Sequence, residues 1–109
     1  MNFMALLRKL RMEGVGHVAF WCPGCGRAHR IRVSLNCDPD GPCWGFDGNV
    51  ERPTFTPSIF VNRPGPHFNP DVPSCHSFVT RGRILFLQDC THHLAGQTVD
   101  LPDFPMGSR

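Results

Sequence analysis

Residues 15–35, VGHVAFWCPGCGRAHRIRVSL, decide which fold this chain can adopt. Residues 15–21 are a β-type run, and residues 31–35 alternate apolar and polar side chains as a returning strand does. Between the two runs lies the turn CPGCG, whose thiols at Cys22 and Cys25 can bind one metal ion while backbone amides point at the sulfurs. The stretch therefore predicts two strands joined by a zinc knuckle.

The Cys-x-x-Cys spacing is also found in redox pairs, which lie at the start of a helix. Here glycine and a β-type run follow Cys25, so the pattern favours a metal site over a redox pair. A closed zinc site has four ligands, and a knuckle supplies two of them. The remaining ligands must come from distant parts of the sequence.

The composition indicates one small domain that needs a cross-link. Among 109 residues, Gly 11 and Pro 11 favour turns, while Cys 6 and His 6 are the side chains that most readily close a loop by metal or disulfide. The net charge of +2 is too small to predict a nucleic-acid partner. No apolar run approaches the roughly 18 residues that cross a membrane, and no signal-peptide cleavage site is evident, so we expect a cytoplasmic protein.

The sequence pattern predicts a mainly β fold, small α+β in class, built from zinc-stapled antiparallel hairpins. Helix-like spacing predicts a short N-terminal helix or arm over residues 1–14, with apolar positions at Phe3, Leu6, Leu7 and Leu10. Residues 15–103 are the expected zinc-binding β domain, and residues 104–109 are an expected flexible tail.

Two later segments have opposite characters. Residues 54–61 (TFTPSIFV) are a β-type run that Pro57 interrupts, which predicts an edge strand or a bulged strand. Residues 62–74 (NRPGPHFNPDVPS) are rich in proline and predict an exposed irregular loop.

A second hairpin is predicted from residues 75–80 and 83–88, joined by Arg81-Gly82. Glycine at the turn supplies the positive φ that a tight hairpin needs. Counting outward from this turn pairs Ser77 with Phe86.

The two faces of this hairpin carry different groups. Because side chains two residues apart on a strand point the same way, Cys75 and Ser77 share one face, and Cys90 lies on that face just beyond the end of the hairpin. His76 and Asp89 project to the other face. A slip of one residue in the register would exchange the two sets.

The hairpin thus offers the missing metal ligands. The set that we expect holds about one structural zinc ion and consists of Cys22, Cys25, Cys75 and Cys90. His92 could take the place of Cys90 in a Cys₃His site, and His29 is a third possibility for the fourth ligand. With His92 as the fourth ligand, Cys90 would be a small buried residue.

Cys37 and Cys43 flank a turn-rich loop, CDPDGPC, outside these motifs. They could form a second metal clip or a disulfide. Since we expect a cytoplasmic protein and their spacing differs from that of a zinc knuckle, free thiols are the expectation.

The same end of the hairpin carries side chains of the types that serine hydrolases use. Such an enzyme needs a hydroxyl, an imidazole that takes its proton and a carboxylate that orients the imidazole. Ser77, His76 or His92, and Asp89 supply these types. In a non-catalytic interpretation, Ser77 and Asp89 instead hydrogen-bond the zinc ligands.

Three motifs together resemble a small zinc-binding family of tailed phages, prophages and bacterial operons, most of whose members have no assigned function. They are AFWCPGCGRAH (19–29), ERPTFTPSI (51–59) and CHSFVTRGRILFLQDCTHHLAGQTVDLPD (75–103). The resemblance covers nearly the whole chain, and residue 90 in this family can be Ser as well as Cys. Family members also occur beside ubiquitin-like proteins in conjugation operons, where a peptidase that trims the precursor is a proposed role.

The resemblance implies a hydrolase in a bacterial host cell. It marks Ser77 as candidate nucleophile, His76 or His92 as base and Asp89 as the group that orients the base, with Ser58 as a second candidate nucleophile. The function that we expect is a serine-type peptidase with structural zinc, acting on a protein or on the tail of a ubiquitin-like precursor. The alternative is a non-catalytic phage or prophage zinc module that binds a host protein, and the sequence leaves enzyme and binding module both open.

Overall fold

Two antiparallel β-sheets form the part of the chain that the structure, a computed structural model, describes: residues 8–33 and 42–105. The first sheet has the order β1-β2-β3, with β1 at Leu10–Met12, β2 at His17–Cys22 and β3 at Arg27–Arg32. β2 and β3 are the strands predicted on either side of the CPGCG turn, where the backbone amide of Gly26 donates a hydrogen bond to the carbonyl of Cys22 (2.9 Å). The predicted order of strand, turn and strand is confirmed, but the returning strand β3 begins at Arg27 rather than at Ile31.

The second sheet contains the other predicted hairpin at its centre. Its order is β4-β5-β6-β7-β8, with β4 at Gly45–Phe46, β5 at Phe55–Val61, β6 at Cys75–Thr80, β7 at Arg83–Phe86 and β8 at Thr98–Asp100. The register pairs Ser77 with Phe86, as predicted. Arg81 and Gly82 form the turn with φ values of 48° and 77°, the two positive values that a tight two-residue hairpin turn requires.

Strand β5 is bulged, in agreement with the prediction from Pro57. Phe55 lies opposite Val79 and Ile59 lies opposite Ser77. An advance of four residues along β5 therefore matches an advance of only two residues along β6. The expectation of an edge position is wrong, because β4 pairs with the other side of β5. Proline is tolerated inside the sheet here because the bulge interrupts the ladder of hydrogen bonds.

The N-terminal segment differs from the expected helix. Leu10–Met12 pair with β2 as strand β1, and the residues that the structure describes contain no helix. Residues 1–7 lie outside the described residues. Pairing with β2 gives the main chain of β1 hydrogen-bond partners, and Leu10 is buried, with 1% of its surface exposed. Leu10, the one apolar position of the predicted helix that the structure describes, therefore lies on a strand. None of the described segments forms a helix that could span a membrane.

Cys43 also differs from its expectation as a free thiol. It is disulfide-bonded, and its sulfur therefore already has a covalent partner and is not open to a metal. Cys37 lies outside the described residues. Cys22, Cys25, Cys75 and Cys90 are free.

The hydrophobic core lies between the two sheets. The rings of Phe20 and Phe55 stack across it with their centroids 6.1 Å apart. One face of the second sheet points into the core, so Cys75, Ser77 and Val79 are buried while Phe78 between them is exposed. The opposite face of this sheet, called the open face below, carries Phe78 of β6 and Leu85 of β7, which are both exposed.

Replacement of Phe20 by alanine should destabilise the protein by about 3–5 kcal/mol, because Phe20 is 0% exposed and its loss leaves a cavity between the sheets. Denaturant unfolding followed by circular dichroism measures the effect. Phe68→Ala, at a phenylalanine that is 43% exposed, is the matched control and should change the free energy of unfolding by less than about 1 kcal/mol. Equal losses in the two variants would contradict the assigned core.

Candidate active site and metal site

Four side chains from three separated parts of the chain form a possible metal site in the core. They are Cys22, Cys25, Cys75 and His92, and one potential ligand atom from each lies within 4.8 Å of all the others. The turn between β2 and β3 supplies the first pair, the first residue of β6 supplies the third, and the loop after β7 supplies the histidine. The cluster therefore joins the two sheets at one end.

The geometry of the cluster fits a tetrahedral ion. The sulfurs of Cys22 and Cys75 are 3.8 Å apart, and a tetrahedral zinc with Zn–S bonds of about 2.3 Å would hold two sulfurs about 3.8 Å apart. Nε2 of His92 is buried and has no hydrogen-bond partner among the described residues. A Cβ at Gly24 would collide with this imidazole, so glycine in the knuckle makes room for the histidine.

The nitrogen on the other side of the His92 ring, Nδ1, accepts a hydrogen bond from the backbone amide of Leu94 (3.2 Å). A neutral imidazole that accepts at Nδ1 carries its proton at Nε2. If His92 held a metal through Nε2, its ring proton would lie on Nδ1, which could then no longer accept the hydrogen bond from Leu94.

The cluster also changes the acidity of its own members. Hydrogen bonds from the thiols of Cys25 and Cys75 lower the pKa of Cys22, and the same contacts with the Cys22 sulfur raise the pKa of Cys25 and of Cys75. Burial lowers the pKa of His92, which favours the neutral imidazole. A thiolate beside a neutral imidazole is the form in which these side chains bind a metal.

Cys90 and His29, the other two candidates for the fourth ligand, lie outside this cluster. The thiol of Cys90 instead accepts a hydrogen bond from the amide of His76 and donates one to its carbonyl, both at 3.2 Å. His29 is buried on β3 and packs edge-on against Phe20. The geometry thus favours His92 over Cys90 as the fourth ligand.

A second cluster lies on the open face of the second sheet and is centred on His76. Nδ1 of His76 is 3.0 Å from Oδ2 of Asp89, and Nε2 is 3.1 Å from Oγ of Ser58. A carboxylate can only accept a hydrogen bond, so Nδ1 carries the proton in this arrangement and Nε2 accepts the hydroxyl proton of Ser58. A hydroxyl, an imidazole and a carboxylate therefore form one hydrogen-bonded line.

The end of the β6–β7 hairpin fixes the position of His76. The amide of Leu87 donates to its carbonyl (2.9 Å), and Cys90 contacts its main chain from the same side. Asp89 lies between these two anchors in the sequence and so is held beside the imidazole. The ring of Phe60 stacks on that of His76 with centroids 4.2 Å apart and 8° between planes, which restricts rotation of the imidazole.

Ser58 lies at the end of the bulge in β5, next to Ile59, where the regular pairing with β6 resumes. It is two residues from Phe60, which lies opposite His76 in the register, and therefore points to the same side. Nε1 of Trp44 donates a hydrogen bond to the carbonyl of Ser58 (3.1 Å) and holds the bulge in place. Ser58 and His76 also line a cleft of about 780 Å³.

Ser77 lies on the core face of β6, away from this line. It is 0% exposed, and its hydroxyl has no hydrogen-bond partner within the described part of the chain. Of the four residues predicted as catalytic, the structure joins His76 and Asp89, and it places Ser77 in the core and His92 in the metal cluster. Trp44 and Phe60 were not predicted as residues of the site. The two-residue spacing between Ser58 and Phe60 is a signal that could have found Phe60, because it indicates that both side chains share a face.

Residues 4–87 match the sequence profile of a family described as the bacterial ubiquitination-like system serine protease (BubE). The chain belongs to this family, which agrees with the resemblance to proteins of ubiquitin-like conjugation operons. No curated protein and no solved structure matches the chain.

The metal cluster predicts that the purified protein holds about one metal ion per chain, that Cys22→Ser lowers this content and that a chelator lowers the melting temperature. Elemental analysis by mass spectrometry measures the content. Cys90→Ser is the matched control, because a hydroxyl can make both hydrogen bonds that the Cys90 thiol makes with His76. Loss of the metal in Cys90→Ser but not in Cys22→Ser would contradict the assigned ligands.

Proposed function

We propose that this member of the serine protease family hydrolyses peptide bonds with Ser58 as nucleophile, His76 as general base and Asp89 as the residue that orients the base. The observation that carries the proposal is the imidazole of His76, which contacts Ser58 and Asp89 through its two nitrogens at 3.1 and 3.0 Å. Ser58 replaces Ser77 in this assignment, because the hydroxyl of Ser77 is enclosed in the core and contacts neither histidine through a hydrogen bond.

The first step activates the hydroxyl. Ser58 Oγ attacks the carbonyl carbon of the scissile bond while its proton passes to Nε2 of His76. Asp89 keeps the Nδ1–H tautomer and stabilises the imidazolium that forms. Because Phe60 stacks on the ring, the imidazole keeps the orientation that both transfers require.

The second step releases the products. His76 gives its proton to the leaving amine, which leaves an ester between Ser58 and the acyl part of the substrate. Water then attacks this ester with His76 again acting as base, and Ser58 recovers its proton. The open face admits substrate to this site, since the side chains of His76 and Asp89 are 23% and 52% exposed.

Zinc, in this proposal, holds the fold and takes no part in hydrolysis. Three thiolates and an imidazole are a usual donor set for structural zinc and fill all four positions of a tetrahedral ion. Cys75 and His76 are neighbours on β6 and point to opposite faces, so a metal bound to the first would fix the strand that carries the second.

The proposed substrate is a protein, and within that class the precursor of a ubiquitin-like protein whose C-terminal tail is removed. Support comes from the family description, which names a protease of a ubiquitination-like system. The cleft beside Ser58 has about 780 Å³, a size that suits a peptide segment of a few residues. The proposed location is the cytoplasm of a bacterial cell.

Ser58→Ala should lower the rate of precursor cleavage by about a thousandfold or more, because it removes the hydroxyl that contacts His76 and forms the ester in this proposal. Ser77→Ala is the matched control. It removes a buried hydroxyl without a partner and should keep full activity with unchanged or higher stability. Cleavage is followed by mass spectrometry of a ubiquitin-like protein encoded beside this chain, with the metal content checked in both variants.

Full cleavage by Ser58→Ala, or loss of cleavage in Ser77→Ala at an unchanged metal content, would contradict the assignment of the nucleophile. Asp89→Asn should also lower the rate by about a hundredfold or more, because an amide in place of the carboxylate favours the wrong tautomer of His76.

A further inference from the structure

The cleft next to Ser58 and His76 has walls of unequal character. One wall is aromatic and contains Trp44 and Phe60. The other wall is the start of the proline-rich loop that follows β5, from Asn62 to His67. A peptide that reached Ser58 would lie against both parts of this lining, next to the scissile bond.

The side chain of Asn62 organises the loop wall. Its Nδ2 donates hydrogen bonds to the carbonyls of Asn69 (2.8 Å) and Val72 (3.0 Å), and its Oδ1 accepts one from the amide of Asn69 (2.8 Å). The hydroxyl of Ser74 donates to the carbonyl of Asn62 (2.7 Å). Both ends of the loop are therefore tied to one residue, and the wall has a defined position relative to Ser58.

Arg63 gives this wall its charge. It is exposed and lines the cleft, and it forms no ion pair with any acidic residue that the structure describes. None of the cleft-lining residues that the structure describes is acidic. Asp89 lies behind His76 and is engaged with it. Among the described residues, the cleft thus presents a guanidinium without an ion-pair partner and no carboxylate.

We infer that Arg63 is a specificity-determining residue that binds a carboxylate of the substrate close to the scissile bond. A guanidinium recognises a carboxylate through two parallel hydrogen bonds, and this geometry selects an acidic group over its amide analogue. The carboxylate can come from an Asp or Glu side chain or from the C-terminus of the chain that is cut. The inference rests on the proposed function for the place of the scissile bond.

The test measures binding separately from cleavage. The full-length chain with Ser58→Ala binds peptides without turnover, and Trp21→Phe leaves Trp44, in the wall of the cleft, as the one tryptophan that reports by fluorescence. The probes are three short Gly/Ala peptides of equal length. One has a central Glu and an amidated C-terminus, one has Gln and a free C-terminus, and one has Gln and an amidated C-terminus.

At least one of the two acidic peptides should bind about threefold to tenfold more tightly than the neutral peptide, a range set by the solvent exposure of Arg63. Which of the two binds shows whether the side chain or the C-terminus supplies the carboxylate. Arg63→Gln should remove the difference between the peptides. Arg30→Gln, a matched loss of one exposed arginine on β3, should preserve it.

Equal affinity for all three peptides, absence of binding to any of them, or equal effects of the two arginine variants would overturn the assignment of Arg63. Failure of the proposed hydrolase has a different signature. If the Arg63-dependent preference is present but the wild-type chain cleaves neither peptide nor precursor, the carboxylate site stands and the peptidase does not. If the wild-type chain cleaves the precursor but acidic peptides bind no more tightly than the neutral one, the peptidase stands and the carboxylate site does not.

Discussion

The alternation of side chains along β6 is the constraint on which both candidate sites depend. Cys75 points into the core and joins the metal cluster, and His76, the next residue, points to the open face and contacts Asp89 and Ser58. A register slip of one residue would place the imidazole in the core and the thiol in solvent. The tight turn at Arg81-Gly82 and the buried face of the sheet together specify the register that avoids this.

The two sites are mechanically connected although they share no side chain. The metal cluster ties the turn of the first sheet to the start of β6, and the main chain of His76 is held from the other side by Leu87 and Cys90. Cys90 therefore helps to position the main chain of His76 at the candidate active site. A serine hydroxyl can make the same two hydrogen bonds, because it also donates one and accepts another.

The sequence predicted the features that depend on local pattern. The knuckle at Cys22 and Cys25, the pairing of Ser77 with Phe86 and the shared face of His76 and Asp89 all follow from turn chemistry and the two-residue period of a strand. Short strands such as β4 and β8 were missed, because two or three residues show no recognisable period. The helix predicted near the N-terminus is wrong at Leu10, which lies on β1, since spacing alone does not say which partner buries a side chain.

The fourth metal ligand and the nucleophile depend on tertiary structure. Cys90 and His92 are two residues apart, and the path of the loop after β7 decides which of them turns toward Cys75. Ser58 lies at the end of a bulge whose extent the sequence does not specify, and its contact with His76 arises only when β5 pairs with β6. Ser58 was therefore only the second candidate nucleophile, because nothing in the sequence alone ranks its hydroxyl above that of Ser77.

The central claim is that the line from Asp89 through His76 activates Ser58. Labelling of the wild-type chain with a fluorophosphonate tests it most directly, because an activated serine displaces fluoride from phosphorus and keeps the phosphonyl group. Peptide mass spectrometry should find the added mass on Ser58, and Asp89→Asn should label much more slowly at an unchanged metal content. Labelling at Ser77, or an unlabelled chain with its metal in place, would contradict the account.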